Sequence, residues 1–339
     1  MNAREIRGVA VAAALFLFVQ LGALMLVEPF ETAGYQAVEN PSDPTNSLVY
    51  IAAILVATAL MLAAFKYAFE WAVKGVVVCS SALVSWYVFA VVTPPLVTLG
   101  SLNVLAVALS VGVAVALLVY PEWYVIDAAG VVMGAGAGAL FGISFGLLPA
   151  ILLLSVLAVY DAISVYGTEH MLSLAEGVMD LHVPVILVIP LSLSYSLLDD
   201  DFSGASDVHD DDGDADDDAA VEGDETTADD HTDEGESDRD AFFIGLGDAV
   251  MPTVMIASGA FFSPAPSLGV TFLPALNLPA LLAMVGTFLG LGVLLWAVMK
   301  GRAHAGLPLL NGGAIGGYLL GSVLAGVPLL RALGLAPYL

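Results

Sequence analysis

Nine runs of apolar residues, each long enough to cross a bilayer, divide this chain, and nothing else in it constrains the fold as strongly. They lie at roughly 6–27, 47–65, 74–93, 97–119, 126–147, 149–168, 241–262, 275–299 and 306–328. Prolines fall at or near the breaks, among them Pro29, Pro41, Pro44, Pro94-Pro95, Pro121, Pro149 and Pro264. The expected fold is an all-α polytopic membrane protein of nine transmembrane helices. With 59% hydrophobic and 12% charged residues, the composition excludes an ordinary soluble domain. The first run is too long for a signal peptide and lacks a small-residue cleavage site, so it reads as the first span.

A formal net charge of −26 is unusual for such a chain until it is located. Between Asp199 and Asp240 lie 21 of the 34 acids, against one base, Arg239. The chain thus divides into residues 1–168 with six helices, an amphipathic or interfacial segment 169–198, an acidic loop 199–240, and residues 241–339 with three helices. The loop has almost no large apolar residues, cannot bury a core, and is expected to be disordered. Its DDDGDADDD stretch lacks the spacing and closing Glu of an EF-hand. An acid-rich chain with three lysines suits a protein kept hydrated in high salt, and a haloarchaeal origin is expected. The single cysteine, Cys79, excludes an internal disulfide and reads as a buried packing residue.

The bases set the orientation. With the N-terminus in the cytoplasm, Arg4, Arg7, Lys66, Lys74, Arg239, Lys300 and Arg302 all fall inside, and only Arg331 falls outside. The C-terminus is then external and the acidic loop cytoplasmic, in a multi-pass protein of the cell membrane. Val183–Leu198 could form a tenth span and invert every later one. It has only 16 residues and two prolines, which favours an interfacial, re-entrant or buried segment. In the fifth run, Gly130, Gly134, Gly138, Gly142 and Gly146 repeat every fourth residue, so one face can take a closely packed helix.

Two aspartates sit well inside these runs, Asp161 in the sixth and Asp248 in the seventh. A carboxylate at membrane depth is costly and marks function. Each lies about 7 residues from the cytoplasmic end of its run, or about 10 Å deep in a helix. Matched depth on successive spans lets the two meet. No Lys or Arg lies near either in sequence, so they are expected to share a proton, since like charges that close cannot both ionise. Such a pair can activate water against a peptide carbonyl. Gly245 and Gly247 suit close approach of a backbone, and Tyr160 is placed to orient Asp161 or the water.

Tyr160-Asp161 in one span and Gly245-Leu246-Gly247-Asp248 in the next, separated by a long hydrophilic loop, resemble the presenilin and signal peptide peptidase family of intramembrane aspartyl proteases. The likeness is closest to archaeal presenilin-like members and covers most of the chain in span number and order. It implies nine spans, an Asp161/Asp248 catalytic dyad of the GxGD type, and a transmembrane peptide or single-span protein as substrate. The family's Pro-Ala-Leu motif is matched in position by Pro308-Leu309-Leu310, with Leu309 in place of Ala. These residues, with Tyr160, Gly245, Leu246 and Gly247, would support the site. True Pro-Ala-Leu triplets at Pro274 and Pro279 fall on the external side. The resemblance also implies a strand after the sixth span that pairs with substrate; Val183–Ile189 is the candidate.

The competing reading is a proton-coupled transporter or channel using the same aspartates, although no internal repeat points to one. No cofactor or metal is implied. The histidines show no ligand spacing, and Glu169, His170, Glu176, Asp180 and His182 read as a solvated face. Nothing is basic enough to bind nucleic acid. A homo-oligomer is compatible with this reading, and obligate partner subunits are not expected.

Overall fold

The computed structural model describes residues 3–67, 69–100, 102–167, 185–191, 195–197, 241–300 and 305–338. The segment Glu169–His182, the acidic tract 199–240 and all five histidines lie outside these. The chain forms α1 (Ala3–Thr32), α2 (Thr45–Lys66), α3 (Glu70–Val92), β1 (Thr98–Leu99), β2 (Leu102–Asn103), α4 (Val104–Val119), α5 (Trp123–Ser144) and α6 (Leu147–Gly167). After these come β3 (Ile186–Pro190), β4 (Ala241–Gly245), α7 (Leu246–Phe262), α8 (Leu278–Val298), α9 (Gly306–Leu324) and a short α10 (Leu329–Ala332). Seven of the helices are long and apolar enough to cross a membrane, and α4 and α7 are shorter apolar helices.

The fold is mostly helical but not all-α. Val183–Leu198 is not a tenth helix among its described residues: Ile186–Pro190 is a strand, paired antiparallel with Ala241–Gly245. The seventh apolar run therefore begins as a strand. At about 3.3 Å per residue, five strand residues cover about 16 Å where a helix would cover about 7.5 Å. The β3–β4 pair thus carries the chain to Asp248 without the two helical turns expected from sequence. β1 and β2 form a second small hairpin, with Gly100 at φ 65° in its turn.

Helix ends are tied by side chains. Asn103 Oδ1 accepts from Leu105 N at 3.1 Å at the start of α4. Asn277 Oδ1 accepts from Ala280 N at 2.9 Å at the start of α8, while its Nδ2 donates to Gly259 O at 2.9 Å, pinning α8 to the end of α7.

α5 is the hub. Its glycine row is buried, and α7 and α1 lie against it. A methyl group on Gly138 would stand 2.7 Å from Thr253 Cγ2 of α7, and one on Gly22 of α1 would stand 2.8 Å from Ala135 Cβ. A side chain on Gly142 would overlap Ala257. α8 and α9 approach backbone to backbone: Gly286 and Gly313 each face the other's carbonyl, and Gly317 and Gly290 abut the carbonyls of Leu282 and Leu309. The opposite flank is loose. α2 has 6% of its most apolar window buried, against 61% for α5. Cys79 is exposed on α3 rather than buried, because Val78, Ser81 and Ser85 take the inward face.

Candidate active site

Asp161 lies six residues before the end of α6, and Asp248 is the third residue of α7. Both are half-buried. Between them stands the first turn of α9. Helix N-termini carry unpaired N–H groups, and α9 opens on Ala305, which has no side chain to cap them. Asp161 supplies that cap from another helix: its Oδ2 accepts from Leu307 N at 3.0 Å, and Gly306 N–H also donates to it. Gly306 then backs onto the second carboxylate. A methyl group there would sit 3.2 Å from Asp248 Oδ2 and 3.4 Å from its Cγ. Among the described residues, Asp161 is the carboxyl group that faces Asp248. Asp248 itself lies in the first turn of α7, where helix-end N–H groups favour an anion.

The expected supporting residues divide into four groups. Gly245 caps α7, and a methyl group on it would be 3.7 Å from Asp248 Oδ2; Gly247 is exposed, with open space around its α-carbon. Leu246 points the other way, buried against Gly130 and Gly134 of α5. It seats the motif rather than lining it. Tyr160 is 42% exposed, and among the described residues no hydrogen bond joins it to Asp161. Of the last triplet, Leu310 is fully buried and the Leu309 carbonyl abuts Gly290. The contacts with both carboxylates are made one step earlier, by Gly306 and Leu307.

Three further residues matter that the sequence does not single out. Gly306 carries a signal only once the fold is known, as a glycine opening a helix beside the triplet. Asn311, one turn beyond Leu307, is fully buried; its Nδ2 donates to Leu154 O of α6 at 3.1 Å, while Oδ1 has no partner among the described residues. Together with the Asp161 cap it fastens α9 to α6 at two heights. Asp127 lies within the fifth apolar run with no motif beside it. It is 5% exposed on α5, and its Oδ1 accepts from Val188 N of β3 at 2.8 Å.

That bond bears on the strand expectation. β4 occupies one edge of β3, and on the other edge Asp127 takes the Val188 N–H. Within the Val183–Ile189 candidate, that N–H is not free to pair with a substrate. Leu246 N donates to Val185 O at 2.7 Å, so the alternation of an antiparallel pair turns the backbone groups of Gly245 away from β3. A cavity of about 160 Å³ opens on this side. Its walls include Gly8 and Val9 of α1, Phe242 of β4, and Leu294 and Val298 of α8, and it reaches Asp248 and Gly306. An apolar chamber with a carboxylate at one end can hold an extended apolar segment against that carboxylate.

The chain has relatives among known proteins. Residues 13–327 match the family profile described as "Signal-peptide peptidase, presenilin aspartyl protease". Two solved structures, both described as a presenilin family intramembrane aspartate protease, are similar over nearly the whole chain. One, in space group C222, is 30% identical with a TM-score of 0.60, covering 93% of this chain and 99% of that chain. The other, in space group P2, is 31% identical with a TM-score of 0.57, covering 92% and 96%. No curated protein matches the sequence.

Proposed function

Since the chain belongs to the signal-peptide peptidase and presenilin aspartyl protease family, we propose that it hydrolyses peptide bonds within the transmembrane segments of single-span membrane proteins, using Asp161 and Asp248 as a GxGD-type dyad. The observation that carries this reading is the clamp at Gly306: two carboxylates from different helices meet across one glycine, at the end of an apolar cavity.

Two carboxylates that meet across one glycine share one proton. The ionised member removes a proton from water, and the resulting hydroxide adds to the scissile carbonyl carbon. The protonated member gives its proton to the carbonyl oxygen. Collapse of the tetrahedral diol breaks the C–N bond: the proton first taken from water passes to the departing amine, and one diol hydroxyl returns its proton to the other aspartate, which restores the pair. A helical peptide hides its carbonyls in i→i+4 bonds, so the substrate must be extended before attack. Pairing with the outward backbone of Gly245 would hold it so, in the manner of an added strand. Pro308, Leu309 and Leu310 support this arrangement from behind by fixing the first turn of α9. Tyr160, exposed in this state, would meet the substrate rather than Asp161.

The reading includes nine spans, counting α4 and α7, with the N-terminus cytoplasmic and the C-terminus external. Seven of eight bases support this orientation. The dyad then opens toward the cytoplasmic side, where the acidic loop also lies.

Cleavage of a single-span peptide in liposomes by wild type, Asp161→Ala and Asp248→Ala tests the reading. Both variants should lose all measurable cleavage while remaining folded, and the wild-type rate should be bell-shaped in pH. Cleavage surviving in either variant would falsify the dyad. Proton flux in the same liposomes without cleavage would favour transport.

A further inference from the structure

A carboxylate buried in a membrane protein needs a partner, and two stand at the start of α5, Glu122 at its N-cap and Asp127 in its second turn. Glu122, 6% exposed, accepts from Ser196 Oγ at 2.7 Å and from Leu197 N at 3.2 Å. Asp127 accepts from Val188 N at 2.8 Å. The two acids thus hold the chain within β3 and again at Ser196 and Leu197. Asp127 also stands three residues before Gly130, on the face whose glycines seat Leu246 and α7. One face of α5 therefore grips β3 by hydrogen bond and Leu246 by close packing. Between those two grips runs β4, paired with β3 through five residue pairs and ending at Gly245, three residues before Asp248.

We propose that Asp127 is a positioning residue. Its carboxylate fixes how far the β3–β4 pair reaches along α5, and so sets where Gly245 stands relative to Asp248 and which peptide bond of a paired substrate faces the dyad. The proposal deepens the proteolytic reading and rests on it for the cleavage step. Antiparallel pairing is two-residue periodic, so a paired substrate that re-seats presents a bond two residues away. Glu122 is the second anchor, and it keeps the hairpin attached when Asp127 is changed.

The test compares Asp127→Leu, which removes the acceptor at similar size, with Asp127→Asn, which retains an oxygen for Val188 N–H. Two readouts are taken on the full chain: hydrogen–deuterium exchange of the amides in 186–190 and 241–245, and the products and kinetics of single-span peptide cleavage. In Asp127→Leu, exchange in both strands should rise about tenfold or more while α8 and α9 stay protected. kcat should fall about 10- to 100-fold, with KM changing less, and the products should spread to bonds two residues away. Asp127→Asn should restore most of the protection and the single cleavage register. Strand exchange unchanged in Asp127→Leu overturns the proposal whatever the kinetics. Looser strands with wild-type register and kcat also overturn it, since anchoring would then be structural only. If wild type cleaves nothing, the failure belongs to the proteolytic reading, and the exchange data alone decide whether Asp127 anchors the hairpin.

Discussion

Gly142 of α5 and Gly112 of α4 are both glycines inside apolar helices, and they serve opposite ends. Gly142 is buried, and any side chain there would meet Ala257 of α7. Gly112 is exposed, with nothing near enough to touch a methyl group. The same contrast separates the two halves of the molecule. α1, α5, α7, α8 and α9 meet through small residues, while α2 lies outside with 6% of its most apolar window buried. Hydropathy ranks them the wrong way: α2 scores 2.4 and α5 scores 1.6. In water the more apolar helix is driven inward, but lipid tails are as apolar as leucine. Close backbone approach decides burial instead, and only small residues permit it.

The sharpest way to break this comparison is Gly142→Leu. It should cost roughly 3 kcal/mol or more through overpacking, read as a large fall in the thermal midpoint in detergent or as loss of folded protein. An unchanged midpoint would mean that α5 and α7 are not fastened by this contact. Gly306→Ala sharpens the comparison by separating site from scaffold. The added methyl would stand 3.2 Å from Asp248 Oδ2, so kcat should drop about tenfold, with little change in the melting midpoint. Gly112→Ala should act in the opposite sense to Gly142→Leu and stabilise by about 0.5–1 kcal/mol, because helix propensity is gained and no space is contested. A destabilised Gly112→Ala would show that α4 packs against something in the membrane. Smallest of all, Leu60→Ala on the exposed face of α2 should stay within about 0.5 kcal/mol of wild type.

The sequence reached the helices more surely than their ends. Each of the nine apolar runs falls on one of α1–α9, since backbone in hydrocarbon has few solutions besides a helix. Two runs hid non-helical starts. Ala-Phe-Phe-Ile-Gly ahead of Asp248 is as apolar as a helix, so a hydropathy window cannot see that it is a strand. Thr98–Asn103 likewise begins the fourth run as a hairpin. The glycine row of α5 is legible because its four-residue period is a property of one helix. Gly306, Leu307 and Asn311 are not, because what makes them matter is a neighbour on α6 or α7, far away in the chain. Asp127 is legible in principle: it is a lone carboxylate in an apolar run, as Asp161 and Asp248 are, but it lacks a neighbouring motif.

The cap that Asp161 places on α9 makes the two substitutions of the proposed dyad unequal as controls. Asp161→Ala removes one member of the proposed dyad and also uncaps a helix that has no capping side chain of its own, a loss of about 1 kcal/mol before any chemistry is considered. Asp248 accepts no hydrogen bond from the described residues, so Asp248→Ala carries no such burden. A melting curve lowered only in Asp161→Ala is therefore the signature of an intact architecture, and Asp161→Asn, which keeps an oxygen for Leu307 N–H, is the cleaner silent enzyme.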